Sequence, residues 1–465
     1  MPTISQSELF HLQRRAGFGP SPDSLSWEEA MTREQAFDQL WEESKSAQPI
    51  ALEGYELPTR QDMRAMSEEE RQQSRRQGAL ALRQLNSAWI QRMVETKAQL
   101  REKMTLFWHD HFACRFNLAY LAQGQHEMLR EYALGKFGDL LRAIARDPGM
   151  LQFLNNQQNR KEAPNENFAR ELLELFTLGR GNYTENDIRE AARAFTGWGF
   201  NLQREFVFRT RWHDEGSKTF LGQTGNWDGD DIIRIVLEQK QTACFLVEKL
   251  YRYLVNPDLN KAQVANWADA FFDRGYDMEF LLREMLTSDH FYAPQNRGIQ
   301  VKSPVEYLVS LLRLTGATLQ DSQGYLLVQK VLGQTLFQPP NVAGWPLGKE
   351  WIDSSSLMAR LQIPRAMFDS RALEIAARPS FAGNEDAIKL TGARAKLQAV
   401  VNWNAIEEQF GEIENLDDLQ KYLMAQSLGT IPLEQLRGHV ADHPPDRQFQ
   451  ILVTHLVCTP EFQLC

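Results

Sequence analysis

The chain has 465 residues, 43% of them hydrophobic and 24% charged, with a formal net charge of −10. That apolar content can bury a large core, and the acidic balance excludes a general nucleic-acid binder. No stretch approaches the roughly 18 uninterrupted apolar residues of a membrane-spanning helix, so no membrane span is expected.

The N-terminal residues MPTISQSELFHLQRRAGFG carry charge early and have no apolar run. This is not a secretory pattern, and the expected location is cytoplasmic. Helix starts of the form S/T-x-x-E/Q recur at Ser5/Glu8, Ser26/Glu29, Thr32/Gln35, Ser67/Glu70 and Ser303/Glu306. Residues 1–60 read as short helices joined by turns, with His11 a packed or capping side chain beside Arg14 and Arg15. From Glu68 to Ala113 the apolar positions keep helical spacing, among them Leu85, Trp89, Met93, Met104 and Trp108. An unbroken helix there would span roughly 65–70 Å, and a break near Thr96 is expected instead.

His109-Asp110-His111 has the composition of a metal motif. On a helix, residues two apart point about 200° away from each other. Both histidines can therefore hold one ion only if the helix ends between them. The alternative is a buried histidine bonded to a carboxylate of the helix over 166–174.

The stretch from Asn159 to Trp198, NRKEAPNENFARELLELFTLGRGNYTENDIREAARAFTGW, organises the rest. Pro164 suits a first helical turn. Phe168, Leu172, Leu173, Leu175 and Phe176 recur at helical spacing, Gly179 and Gly181 form a turn, and Thr184 with Asp187 opens a second helix. The predicted unit is an αα-hairpin. Its first helix presents Glu166, Arg170 and Glu174 on one stripe, and Asn167, Glu171 and Glu174 on another. Asn165 precedes them, and the second helix adds Arg189 and Arg193. Glu171 and Glu174 could thus stand side by side in a polar or metal-binding pocket, or form an interhelical ion-pair network with those arginines.

Alternating strand patterns are scarce; the best runs from Glu205 to Arg209. Beyond it, His213, Asp214, Glu215 and Lys218 cluster outside any helix. Imidazole beside carboxylate suits a divalent transition metal, with Lys218 free to hold an anion. The competing reading is a turn in which Asp214 caps backbone amides. Asp228 or Asp230 caps the helix beginning near Ile232. Helices follow over 232–255, 261–274, 278–287 and 303–316. The loop from Leu336 to Trp351 contains Pro339-Pro340, and Trp345 and Trp351 either form an aromatic platform for a ligand or fold onto the core. The four cysteines, Cys114, Cys244, Cys458 and Cys465, form no CxxC pair. Residues 366–445 are the least patterned and include helices over 392–401 and 416–427. A last helix covers about 446–457.

The expected fold is all-α, a multi-helix globular bundle with one small β-hairpin near 203–222. Residues 1–365 form the main domain, 366–445 a peripheral helical subdomain, and 446–465 a terminal helix rejoining the body.

These pieces resemble the bacterial "domain of unknown function 1800" family. The resemblance is carried by HLQRRAGFGPSP, EKMTLFWHDHF, PNENFARELLELFTLGRGNYTENDIREAARAFTGW, HDEGSKTFLG, SPVEYLVSLLR, QPPNVAGWPLGKEWIDSSSLMARL and TPEFQ, in order from residue 11 to 463. It implies a helical protein. Many members carry export signals and are encoded beside a second family with a sulfatase-like fold; this chain departs by lacking such a signal.

Two functional readings follow. One is a metal- or carboxylate-dependent enzyme with Glu171, Glu174, Arg170 and Lys218 as working groups and His213, Asp214, His109 and His111 as ligands. Asn165 and Asn167 would bind its substrate. The other is a non-catalytic binding or assembly protein, a partner of a sulfatase-like protein or a holder of polysaccharide through Trp345 and Trp351.

Overall fold

A computed structural model describes residues 3–22, 31–46, 48–50, 52, 66–201, 203–369, 397–410, 416–428 and 433–465. The fold is mainly helical, and among the described residues the strands form three small two-stranded antiparallel sheets. Capping boxes are closed at Ser5, Thr32, Ser67, Thr184, Asp228 and Ser303. In each, the cap side chain accepts an otherwise unpaired backbone N–H and the third helical residue returns the bond. Ser26 and Glu29 lie outside the described residues, as does the first half of the predicted 392–401 helix; its second half is not helical, because Ala399–Val400 is a strand paired with Thr318–Leu319.

The long helix Glu68–Glu95 ends at Thr96, whose extended backbone (ψ 148°) turns the chain into the Gln99–His111 helix. The break falls where expected. The predicted 232–255 helix is instead two, Gly229–Leu237 and Lys240–Leu254. Gln239 adopts an extended conformation between them, and the Thr242 hydroxyl caps the Val236 carbonyl at 2.8 Å. One apolar cluster runs through the described helices from Ile4 to Phe462. Ile406, Leu416, Leu419, Tyr422 and Leu423 belong to it. The strand pair Thr318–Leu319 and Ala399–Val400 and the Tyr422 hydroxyl, bonded to the Leu314 carbonyl at 2.9 Å, tie that segment to the body.

The other sheets flank the Asn159–Trp198 stretch. Trp198–Phe200 pairs with Phe206–Phe208, and Lys218–Phe220 pairs with Gln223–Gly225. There are thus two hairpins in place of the single one expected near 203–222.

The Gln6–Arg15 helix is pinned by two adjacent arginines. Arg14 Nη2 donates to the carbonyls of Lys421 and, at 2.7 Å, of Tyr422. Arg15 donates to the carbonyls of Leu254 and Tyr253, each at 2.9 Å, and to Cys465 Sγ at 3.1 Å. Residues 300–302 and 463–465 pair alongside through backbone bonds. No described helix is long and apolar enough to cross a membrane.

Candidate functional site

The first helix of the central stretch begins at Asn167, after Pro164, and changes register within itself. Asn167–Glu171 is α-helical, and Leu172–Thr177 is π-helical. A π segment is uncommon and frequent at functional positions. Its carbonyl end also needs outside donors. His111 Nε2 donates to the Phe176 carbonyl at 3.1 Å, and Lys249 Nζ donates to the Leu175 carbonyl at 3.3 Å. Lys249 also donates to His111 Nδ1 at 3.0 Å, which fixes the imidazole as the neutral Nε2–H tautomer. Burial and the adjacent ammonium hold the His111 pKa well below its usual value. A lysine at a helix C-terminus complements its dipole. The partner of His111 is therefore a backbone carbonyl, not the carboxylate expected from sequence, because the helix end presents Phe176 O to it.

Asp110, between the two histidines, is buried enough to push its carboxyl up to about 6, while burial brings Lys249 down to about 8. Asp110 accepts the Trp345 backbone N–H at 2.7 Å. Gly344 (φ +83°) lies so close that any Cβ there would overlap the Asp110 side chain. His109 points elsewhere: its Nε2 accepts the Phe337 N–H at 3.0 Å, and burial takes its pKa to about 3. Phe337 is a bulky residue at φ +67°. That conformation is strained, and it is held from both sides, since the Phe337 carbonyl also accepts the Phe116 N–H at 3.1 Å.

The charged residues of the hairpin are occupied. Arg170 binds Glu185 at 2.8 Å and Glu166 at 3.2 Å; the Glu185 bond is the main reason its pKa rises. Glu174 takes Arg180 at 2.5 Å and the Tyr183 hydroxyl at 3.1 Å. Arg193 binds Asp214 at 2.7 Å and Glu190 at 2.9 Å. The network is real, but Glu171 and Glu174 form no ion pair with Arg189 or Arg193: Arg189 is exposed, and Arg193 turns to the 213–218 loop. Glu171 is half-buried, which raises its pKa, with Glu174 adding to the shift. Asn167 is exposed, and its N–H is capped by Asn165 Oδ1 at 3.0 Å. Asn165 in turn donates its N–H to Asn159 Oδ1 at 2.9 Å.

In the 213–218 loop, His213 Nδ1 donates to the Thr196 carbonyl at 2.9 Å. Asp214, its pKa lowered chiefly by the Arg193 bond, accepts the Gly216 N–H at 2.8 Å, which is the turn-capping role. Lys218 is buried, which lowers its pKa, and it donates inward to the Asp214 and Gly216 carbonyls at 2.5 and 3.0 Å. It does not project as an anion clamp. His213, Asp214, His109 and His111 thus serve different partners. Among the described residues no group of three His, Cys, Asp or Glu side chains is placed to hold a metal ion. Trp345 and Trp351 are 6% and 2% exposed, folded onto the body, so neither offers a ring face to a ligand.

A concave site lies elsewhere, between the Gln6–Arg15 helix and residues 420–427. It is a cavity of about 210 Å³ with His11, Arg14, Arg297, Gln420, Lys421 and Ser427 in its wall, and among the described residues no carboxylate side chain lines it. Arg14 and Gln420 are each 5% exposed. Arg14 Nε and Gln420 Nε2 are buried donors without a hydrogen-bond partner among the described residues. Burial brings the Arg14 pKa down to about 10, so the guanidinium stays charged at neutral pH. His11 gives its Nε2–H to the Phe291 carbonyl at 3.2 Å; burial, then Arg15 and Arg297, push its pKa well below normal. Gly298 (φ +63°) lets Gln426 approach, since a Cβ would overlap it. Sequence reading placed His11 as packed and did not single out Arg14 as a binding group. The available signal was His11, Arg14 and Arg15 together in one family motif.

No curated protein and no solved structure matches the chain. The family model described as "Protein of unknown function (DUF1800)" matches residues 11–464. With both the first motif, holding His11 and Arg14, and the hairpin stretch inside that match, the chain belongs to the DUF1800 family.

Proposed function

We propose that this protein binds a small anionic ligand in the pocket between the Gln6–Arg15 helix and residues 420–427. The observation that carries this reading is the pair of buried donors, Arg14 Nε and Gln420 Nε2, that no described group accepts from, in a wall where no described residue presents a carboxylate side chain. A buried cation without a counter-charge is unfavourable by several kcal/mol in order of magnitude, and a buried unmet donor by roughly 1–3 kcal/mol. An oxyanion offsets both at once. Arg297 and Lys421 supply further positive charge at the wall, each also held by a carboxylate, Glu8 at 3.3 Å and Asp418 at 3.0 Å. This is a non-catalytic binding function, but its ligand and its site both differ from the sulfatase-like partner or polysaccharide of the second reading drawn from sequence.

The test is thermal unfolding of the full chain in phosphate, sulfate or acetate against chloride at equal ionic strength. A ligand that binds only the folded state raises Tm by mass action. The expected outcome is a rise of about 2 °C, reduced in Arg14→Met and in Gln420→Leu. Equal rises in all three proteins would refute the pocket.

A second reading, acid–base catalysis, is supported by Asp110 and Lys249, whose pKa values move toward neutrality beside a π-helical segment. Its test is competitive amine labelling across pH. Lys249 should react with an apparent pKa near 8, and reaction in step with exposed lysines would remove this reading.

A further inference from the structure

Arg160, Arg209 and Arg211 surround one indole. Their guanidinium carbons lie 3.9, 4.8 and 5.5 Å from the Trp212 ring centroid. Among the described residues none of the three forms an ion pair, although the chain as a whole is acidic. Burial, then Arg211 and Arg160, lowers the Arg209 pKa, so like charges are held against one another. The cluster is built rather than incidental. Arg209 Nη2 is pinned to the Phe200 carbonyl at 2.7 Å, and its guanidinium crosses Gly199, where any Cβ would overlap it. Gly197 (φ +83°) admits the Arg209 carbonyl, which a Cβ would meet at 2.6 Å. The Lys161 N–H, bonded to the Trp212 carbonyl at 2.9 Å, fastens the Arg160 turn to the same support. Arg160 and Arg211 are exposed, while Arg209 and Trp212 are half-buried.

Stacking on an aromatic face leaves the guanidinium edge free to donate, and the planar fork matches oxyanions. The forks of Arg160 and Arg211, with the donors of Arg209 that the Phe200 carbonyl does not take, offer more than the two oxygens of a carboxylate can accept. A phosphate or sulfate monoester has three free oxygens in a compact group. One compact cluster is also too small for the basic stripe that tracks a nucleic acid. We propose that Arg160, Arg209 and Arg211 around Trp212 form a surface clamp for a phosphate or sulfate monoester group. This clamp is independent of the Arg14 pocket, and either can fail alone.

The experiment uses the full chain carrying Arg14→Met, which silences the pocket, titrated by calorimetry with phenyl phosphate, phenyl sulfate and benzoate at constant ionic strength. Phenyl phosphate or phenyl sulfate should bind, and benzoate about tenfold more weakly. Arg209→Leu should weaken the ester about tenfold or more. Arg211→Ala, at an exposed position that leaves folding intact, should weaken it severalfold. Binding by the phosphate ester alone assigns a phosphoryl ligand, by the sulfate ester alone a sulfuryl one, and by both an unselective clamp. No binding by either ester, equal binding of benzoate, or unchanged binding in Arg211→Ala would overturn the proposal.

Discussion

The hairpin with its 213–218 loop and the pocket beside Arg14 are both rich in charge, yet they handle it in opposite ways. In the first, Arg193 meets Asp214 and Glu190, Arg170 meets Glu185 and Glu166, and Lys218 is folded onto carbonyls. In the second, Arg14 is buried against carbonyls only, with its Nε and the Gln420 amide left over. Charge density therefore marks structure where partners are complete, and the proposed binding site rests on a place where they are not. A conspicuous sequence cluster is the weaker guide, because opposite charges close in sequence can satisfy each other locally.

The contrast can be broken by removing single partners. The largest effect should come from the deepest complete pair, Arg130 with Glu102, at 2.7 Å and 4% and 0% side-chain exposure. Arg130→Met leaves the buried Glu102 carboxylate without its counter-charge, with only the Trp89 indole N–H at 2.9 Å still donating to it, and should reduce stability by about 3–5 kcal/mol in urea denaturation. Arg193→Met, which frees the half-buried Asp214 and Glu190, should cost about 1–2 kcal/mol by the same measurement. If it costs nothing, the loop network is not structural.

Next comes pH. Lys302 is buried, and burial moves its pKa from 10.5 to about 7. Between those values the unfolded chain binds the proton and the folded chain does not. Lys302 therefore makes stability rise with pH from about 7 toward 10.5, by at most about 1.4 kcal/mol per unit. Asp214 acts at the other end. Its pKa is lowered from 3.8, so its contribution is present above that value and lost as pH falls through the lowered one. Stability against pH in wild type and Lys302→Met checks this; the alkaline rise should flatten in the variant. The smallest effect belongs to Arg14→Met, within about 0.5 kcal/mol of wild type. Losing two carbonyl bonds is offset by removing an unpaired buried charge. A cost near that of Arg130→Met would mean that Arg14 is a structural residue.

Local signals in the sequence were reliable. Ser5, Ser67, Thr184 and Ser303 cap as their spacing requires, the helix breaks at Thr96, and of the two candidates Asp228 and Asp230 it is Asp228 that caps its helix. The π register at Leu172–Thr177 was hidden, because the apolar stripe of Phe168, Leu172, Leu173 and Phe176 looks the same with four- or five-residue bonding. A buried histidine bonded to a carboxylate of the 166–174 helix is one expectation for His109-Asp110-His111, and His111 is buried there, but its acceptor is the Phe176 carbonyl, which spacing cannot reveal. The pocket was out of reach for a different reason. Arg14 and Tyr422 are 408 residues apart, and nothing in either local pattern announces the other. Trp345 and Trp351 show the converse, with a composition suited to a ligand platform placed in the interior by folding.

The paired arginines of the Gln6–Arg15 helix have a kinetic meaning as well. Their bonds to Tyr253, Tyr422 and Cys465 span 238, 408 and 450 residues. Contacts of such separation close only after the intervening loops have been ordered. The helix that comes first in the chain is thus among the last to be locked. Contacts formed after the rate-limiting barrier govern how fast a protein comes apart more than how fast it assembles. Arg15, whose guanidinium reaches Cys465, therefore acts as a latch on the unfolding rate, holding the two ends of the sequence together from one turn of helix.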